Sequence, residues 1–439
     1  MEKNITNNSM KVLLVHPPLY RLYPQQEKGA KRHQMEPLSL EMIAAHNPHN
    51  LDVRIHDMDV HPEEKDLENL IKEFRPDVIG ITVNTPLVLE AKRISELARK
   101  ILPEVFIISG GNHCTHEPDH SKDYIGSDLI WRGDAECMLG RLVDDNMISR
   151  VRSGDMEPIY TGAAIESEDG RFVMDRLNFP YRHDPDSYHY LTMQTSRGCI
   201  WECIYCGSAD LGVRWRTAAN ILKELDELHT RKLTSKQIYF LDDCFLDYPE
   251  RVRELCSGIK ERQYDLNFWI ETRADTIKAP ILETIKDAGC YQITFGMESG
   301  NQRVLDSLSK KVQLDKATQA IELTSNMGLR IRSNFMIGHL DETEEEIWDT
   351  INYAKYLVEN GWATTVAFYK VLPLPGTPLF RMIKERGIEV ERAFEDFAWY
   401  GKTVSRMSKV DPDRLDELHQ QAYEIVGAAS NKNRSNVDY

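Results

Sequence analysis

LTMQTSRGCIWECIYCG, residues 191–207, decides how the whole chain is read. An apolar run meets a glycine and then three cysteines, Cys199, Cys203 and Cys206. Their spacing is Cys-x3-Cys-x2-Cys, with Tyr205 directly before the last. LTMQTSRG (191–198) reads as a buried strand, so the cysteines occupy the loop that follows it. Three thiolates are one short of a tetrahedral zinc site. Zinc with a distant fourth ligand, Cys244 or His229, is one reading, but zinc sites usually show paired Cys or Cys/His units and no second pair exists here. A four-iron cube held by three cysteines leaves one iron open to a small molecule, which makes the cluster a reactive site. The tight spacing favours the cube.

Outward from this stretch, strand and helix signals alternate. Strands are expected at QIYFLDD (237–243), NFWIETRAD (267–275), YQITFGMES (291–299), RIRSNFMIG (330–338) and TTVAFYKVLPL (364–374). Helical stretches such as 221–231 and 344–361 lie between them. Six βα units with short turns fit a partial parallel barrel over 191–380, and barrel chemistry sits at the carboxyl ends of strands. Upstream, KVLLVHPP (11–18), DVRIHDM (52–58), DVIGITVNT (77–85), VFIISGGN (105–112) and SDLIWRG (127–133) are strand signals separated by helical ones. They imply a doubly wound parallel sheet over 11–150. Residues 151–190 read as a linker. Residues 1–10 and the tail NKNRSNVDY (431–439) are expected to be disordered, and 381–439 to be a short helical region. The fold class is therefore α/β: a sheet unit, then a barrel.

The chain has 439 residues, too many for one average domain. Its formal net charge of −16 makes it a poor general binder of nucleic acid, whose phosphates need Lys and Arg. No run approaches the roughly 18 apolar residues of a membrane helix. The polar start lacks a signal-peptide core, so the expected location is cytoplasmic. Eight cysteines form no regular disulfide framework.

The segment 190–380 resembles the radical S-adenosylmethionine (radical SAM) superfamily, whose mark is Cys-x3-Cys-x-aromatic-Cys. Cys199, Cys203, Tyr205 and Cys206 match every position. The resemblance implies a partial (βα)6 barrel and a 4Fe–4S cluster on the three cysteines. SAM would chelate the open iron and be split by one electron into methionine and a 5′-deoxyadenosyl radical. It also implies an external one-electron reductant such as ferredoxin or flavodoxin. Other strand ends are candidate SAM-binding positions: Asp242 and Asp243 for the amino group, Glu271 and Arg273, Glu298 and Ser299 at the ribose, Arg332 and Asn334 at the carboxylate. Tyr205 joins them through the motif. FMIGHLDET (335–343) resembles the loop that packs on adenine. Tyr369 and Trp399 are candidate substrate-facing aromatics, with core packing the plainer reading.

HPPLY (16–20), PLSLEMIAA (37–45), DVIGITVNTP (77–86), SGGNHCTHEP (109–118) and WRGDAE (131–136) resemble the Rossmann-like cobalamin-binding domain fused to one large radical SAM class. Ser39 stands where that class has Gly, and Gly133-Asp134-Ala135-Glu136 stands for Gly-Glu-Gly-Glu. The resemblance makes Pro17, Thr82, Thr85, Gly110, Gly111, His113, Gly133 and Glu136 candidate cobalamin contacts. The cobalt-ligating signature Asp-x-His-x-x-Gly is absent, and HDMDVH (56–61) does not match it. A cobalamin lower face without a histidine ligand is the resulting expectation.

The leading functional reading is a cobalamin-dependent methyltransferase that moves methyl from methylcobalamin to an unactivated carbon of a small-molecule or peptide substrate. The alternative is a non-methylating radical SAM enzyme of the same architecture: a cyclase, a dehydratase or a ring-forming enzyme. A methylthiotransferase is disfavoured, since the first half lacks three cysteines for a second cluster. A cofactor-sensing module is disfavoured by the open-iron motif and the polar barrel strand ends.

Overall fold

The computed structural model describes residues 9–19, 35–162, 173–209, 211–390, 393–398 and 401–433. Trp399 lies outside them. The chain divides into two compact units, Met1–Glu166 with Arg176–Tyr188, and Ser167–Asp175 with His189–Tyr439.

The first unit alternates β1 (Lys11–His16), α1 (Leu38–Ala45), β2 (Asp52–Asp57), α2 (Glu64–Phe74), β3 (Val78–Thr82), α3 (Val88–Ile101), β4 (Phe106–Gly110), α4 (Asn112–His116), α5 (Pro118–Ile125), β5 (Leu129–Arg132), α6 (Met138–Asp144), α7 (Met147–Ser153) and β6 (Ile159–Thr161). All six strands are parallel, in the order β2-β1-β3-β4-β5-β6. β6 comes from the stretch expected to be linker; three residues are too few to carry a strand pattern. The central strands are apolar on both faces because helices cover both. Val12, Leu14, Val78, Ile108 and Leu129 pack with α1, α6 and α7. Leu13, Ile79 and Ile107, of opposite parity, are equally buried and turn to the other face. Met10, expected to be disordered, already accepts a hydrogen bond from the Asp52 amide.

The second unit begins with β7 (Tyr190–Met193), β8 (Ser196–Arg197) and β9 (Arg214–Trp215). It continues through α8 (Ala218–Thr230), β10 (Gln237–Phe240), α9 (Pro249–Glu261), β11 (Phe268–Thr272), α10 (Ala279–Asp287), β12 (Cys290–Glu298), α11 (Gln302–Ser307), α12 (Leu314–Asn326), β13 (Arg330–Ile337), α13 (Glu344–Glu359), β14 (Thr365–Lys370), α14 (Pro378–Glu385) and α15 (Pro412–Asn433). Six parallel strands follow one another in chain order, β7-β10-β11-β12-β13-β14, as a partial barrel requires. Ile238, Phe240, Ile270, Ile293, Phe295, Ile331, Phe335 and Phe368 form the core with the helices. Each such side chain is worth about 1.5–3 kcal/mol of burial. Tyr239, Trp269, Glu271, Thr294, Arg332, Asn334 and Tyr369 alternate onto the inner face.

The region after 381 is less helical than expected. Among the described residues between α14 and α15 the backbone is largely irregular, with an isolated bridge pairing Val390 and Ser405. Helix α15 extends to Asn433, into the expected tail, and residues 434–439 lie outside the described ones. Leu415, Leu418, Ala422 and Val426 of α15 join the barrel core, which is what orders it.

Candidate active site

The cysteine loop is tied at its base and its crown. At the base, Ser196 and Arg197 pair antiparallel with Trp215 and Arg214, closing residues 198–213 into one excursion. Gly198 opens it at φ +80°, and a Cβ there would stand 1.9 Å from the Gly212 carbonyl oxygen, so no other residue fits. The strand end is gripped from beneath. Asp242 accepts the Thr195 amide at 2.6 Å, the Ser196 amide at 3.1 Å and the Thr195 hydroxyl. Arg251 donates to the Thr195 carbonyl and hydroxyl, both at 2.8 Å. At the crown, Ile204 donates its amide to the Leu308 carbonyl at 3.1 Å and accepts the Leu379 amide at 2.7 Å.

Cys203 is buried, and Cys199 and Cys206 are half-buried. Burial pushes the Cys199 thiol up to about 12 and raises that of Cys206. A bound cation favours the thiolate and works against this effect of burial. Among the described residues, the one group of three His, Cys, Asp or Glu side chains with ligand atoms all within 4.8 Å is His16, Asp57 and Asp59. Each alternative fourth ligand has a partner of its own. His229 stacks on Tyr264 and binds Thr234, and the Cys244 thiol sits 3.5 Å from the Thr272 hydroxyl. The closed loop suits a cube.

Arg273, at the end of β11, directs Nη1 to the Cys203 sulfur at 3.8 Å. Its other nitrogens bind both oxygens of Asp275 and the Lys310 carbonyl, and its plane lies 3.8 Å over the Trp201 ring. Tyr205 donates its hydroxyl to Glu298 Oε1 at 2.9 Å, and the same oxygen accepts from Lys310 Nζ at 2.6 Å. Glu298 sits at the irregular end of β12 with φ +63°, a left-handed conformation held by its surroundings. A Cβ on Gly296 would meet the Glu298 carboxylate at 2.4 Å. Lys310 has no signal in the sequence; only the fold brings it to Tyr205.

The remaining candidates separate by place. Asp243 is exposed and accepts the Ser208 hydroxyl at 2.7 Å, whereas Asp242 is turned inward to the strand end. Glu271, Thr294 and Arg332 share one level of the inner face through their strand register. Burial raises the Glu271 carboxyl above its ordinary range. Arg332 donates to Asn334 at 3.1 Å and to the Tyr369 hydroxyl at 3.0 Å. Ser299 points away, its hydroxyl paired with Thr350 of α13 at 2.8 Å. In the loop after β13, Glu342 accepts the Gly338 and His339 amides at 2.6 and 2.9 Å. His339 is fully buried with its ring edge-on to Tyr205.

In the first unit, Thr82 and Gly110 end β3 and β4 side by side, Pro17 follows β1, Gly111 follows β4 and Gly133 follows β5. Gly133 donates its amide to Thr115 at 3.0 Å. Gly111, at φ +112°, is required by its neighbours: a Cβ there would stand 2.7 Å from the Val83 carbonyl oxygen. His113 is fully buried; Nδ1 lies 3.1 Å from the Thr85 hydroxyl and Nε2 3.0 Å from His120. Burial pushes its imidazole down to about 4, so it is neutral. Glu136 is buried in the turn between β5 and α6.

A partial barrel whose first strand feeds a three-cysteine loop, on one chain with a doubly wound parallel sheet, defines a two-unit radical enzyme. Residues 193–354 match the family model of the radical SAM superfamily, and residues 31–143 that of the B12 binding domain. Over 435 residues the chain is 30% identical to an uncharacterized methyltransferase of Pyrococcus horikoshii, across 94% of this chain and 92% of the relative. It is 25% identical over 377 residues to an anaerobic magnesium-protoporphyrin IX monomethyl ester cyclase of Rubrivivax gelatinosus, across 80% of this chain and 65% of the cyclase. The fold matches that of the radical S-adenosylmethionine methyltransferase TsrM of Kitasatospora setae, solved with cobalamin and a 4Fe–4S cluster bound. The TM-score is 0.71 at 17% identity, across 96% of this chain and 89% of that one. The chain belongs to the radical SAM superfamily, in the branch that carries a B12 binding domain.

Proposed function

We propose that the protein is a cobalamin-dependent radical SAM methyltransferase acting on an unactivated carbon. The observation that carries this is the three-cysteine loop at the carboxyl end of the first strand of a partial parallel barrel, on one chain with a doubly wound parallel sheet. When bound, the cluster, SAM and cobalamin together supply a hydrogen-abstracting 5′-deoxyadenosyl radical and a transferable methyl group.

The chain's residues divide the rest of the work. Cys199, Cys203 and Cys206 hold the cluster, and Arg273 balances charge at Cys203. Tyr205, Glu298 and Lys310 form a preorganised polar triad beside the cysteines, and its carboxylate suits the ribose diol. Exposed Asp243 is the better placed of the aspartate pair for the SAM amino group, because Asp242 is occupied at Thr195. Glu271, Arg332, Asn334 and Tyr369 face inward from several strands, where a substrate enters a partial barrel. An external one-electron donor such as ferredoxin or flavodoxin supplies the reducing equivalent. Among the described residues no helix is long and apolar enough to cross a membrane.

Mass spectrometry of both SAM fragments tests the reading. Methyl transfer releases S-adenosylhomocysteine and 5′-deoxyadenosine in equal amounts, because one SAM either gives its methyl or is split, not both. Likeness to the cyclase supports the second reading. Deoxyadenosine formed with product, without S-adenosylhomocysteine or an added methyl mass, would select it.

A further inference from the structure

We propose that the outer rim of the cysteine loop is the docking surface for the electron donor, a small acidic flavoprotein; the inference rests on the radical SAM reading above. Ile200 and Leu211 carry it. They are 50% and 62% exposed, in a unit whose apolar side chains are largely buried. Ile200 directly follows Cys199, and Leu211 lies on the returning limb of the excursion. The two limbs meet at a neck, where a Cβ on Gly198 would stand 1.9 Å from the Gly212 carbonyl oxygen. Leu211 is one residue from that neck and Ile200 two. A single exposed leucine needs no explanation, but two bare apolar side chains beside one neck mark a surface that meets something.

The charge on this rim is cationic. Below the neck the strand register sets Arg197 directly opposite Arg214. Like charges that face each other across a ladder oppose its pairing. Arg197 is oriented by Gln194, whose Oε1 accepts its Nε at 2.8 Å. Among the described residues, two exposed carboxylates bond to or belong to the excursion. Glu202 is met by Lys311 at 3.4 Å, and Asp243 accepts the Ser208 hydroxyl. Arg197, Arg214 and Lys311 outnumber these two, on a chain whose net charge is −16.

What covers the rim follows from what the loop carries. Each SAM that is split needs one electron at the cluster, and Ile200 stands one residue from Cys199. Electron-transfer encounters are small, under about 1,200 Å² in total, so two apolar side chains within a charged rim suffice. A flavin carrier presents the apolar dimethylbenzene edge of its cofactor, which suits Ile200 and Leu211. Acidic residues around that edge suit Arg197 and Arg214. In the transfer the anionic flavin hydroquinone loses one electron and becomes the neutral flavin radical. The cluster gains that electron and passes from its 2+ to its 1+ state, and no proton moves.

The test uses the full chain with its cluster reconstituted and iron counted first. Formation of 5′-deoxyadenosine from SAM is timed with reduced flavodoxin and, separately, with dithionite, which needs no docking surface. Leu211→Glu and Ile200→Glu should each slow the flavodoxin-driven rate at least about tenfold and leave the dithionite rate unchanged. Added salt should slow the flavodoxin-driven rate of the natural protein, because rim charges act on the encounter. Equal loss with both donors at full iron content, or no loss with either, overturns the docking surface and leaves the proposed function standing. So does a loss seen with reduced ferredoxin alone, which would give the rim to an iron–sulfur carrier. A dimer of the natural protein that Leu211→Glu dissociates would likewise give it to a second copy. Absence of deoxyadenosine from the natural protein with dithionite overturns the functional reading and the inference with it. Should the glutamate variants lose iron, Leu211→Ser and Ile200→Ser at full iron content decide the matter with the same two donors.

Discussion

Arg273 shows how one residue's role changes between sequence and structure. At a barrel strand end it reads as a candidate SAM-binding residue. In the fold its guanidinium is fastened to Asp275 and aimed at the Cys203 sulfur, 3.8 Å away. A cation and N–H donor beside a thiolate favour the reduced, more negative cluster. Arg273→Gln should therefore lower the cluster midpoint potential by several tens of millivolts in a redox titration, on a scale where about 59 mV is a tenfold change for one electron. An unchanged potential would remove Arg273 from the cluster's environment. The cysteines make the blunter prediction. The natural protein should bind about four irons per chain after anaerobic reconstitution, and Cys203→Ala should bind none in a stable cube. Stoichiometric zinc without an iron spectrum would refute the cluster assignment.

At the scale of elements, the cysteine loop depends on its supports more than on its own residues. Asp242 and Arg251 carry opposite charges in a nearly dry place, with Arg251 Nη2 3.6 Å from Asp242 Oδ2. Removing one charge leaves the other uncompensated, so Arg251→Met should cost about 3–5 kcal/mol in denaturant unfolding of the metal-free protein. A loss below about 1 kcal/mol would mean that the pair does not hold the strand end. Gly198→Ala should fail more locally: β8–β9 pairing is lost and iron retention falls, while the barrel core still unfolds cooperatively.

Much of this scale was legible in the sequence. The alternation of strand and helix signals exposed the barrel strands, and the strand-then-glycine context placed the cysteines on a loop. The aspartates of FLDD were visible, but which of them faces the strand end depends on backbone direction, which spacing does not encode. Lys310 lies between α11 and α12 and Arg251 in the first turn of α9, and only tertiary folding brings them to Tyr205 and Thr195. β6 was too short to show, and α15 was ordered by packing rather than by propensity.

For the whole molecule, buried histidines set the response to acid. His56, His113 and His339 are all pushed down to about 4 by burial. Their folded-state values lie below the unfolded value of about 6.5. The stability they carry is present above pH 6.5 and is lost as pH falls toward 4, up to roughly 3 kcal/mol each. Glu342, raised to about 7 by burial, runs the other way: its contribution is present below 4.5 and is lost as pH rises through 7. Three groups outweigh one, so the thermal midpoint should drop between pH 6.5 and 4, and drop more steeply in Glu342→Gln. A flat midpoint across that range would show that these imidazoles ionise in place. The crown of the cysteine loop has a consequence of another kind, in the timing of manufacture. Ile204 is stitched to Leu308 and Leu379, residues that leave the ribosome long after the cysteines do. Until they arrive the loop is held at its base alone, through residues 214–251, and its crown is untied. Complete ordering of the loop is therefore expected only after residue 379 has been made.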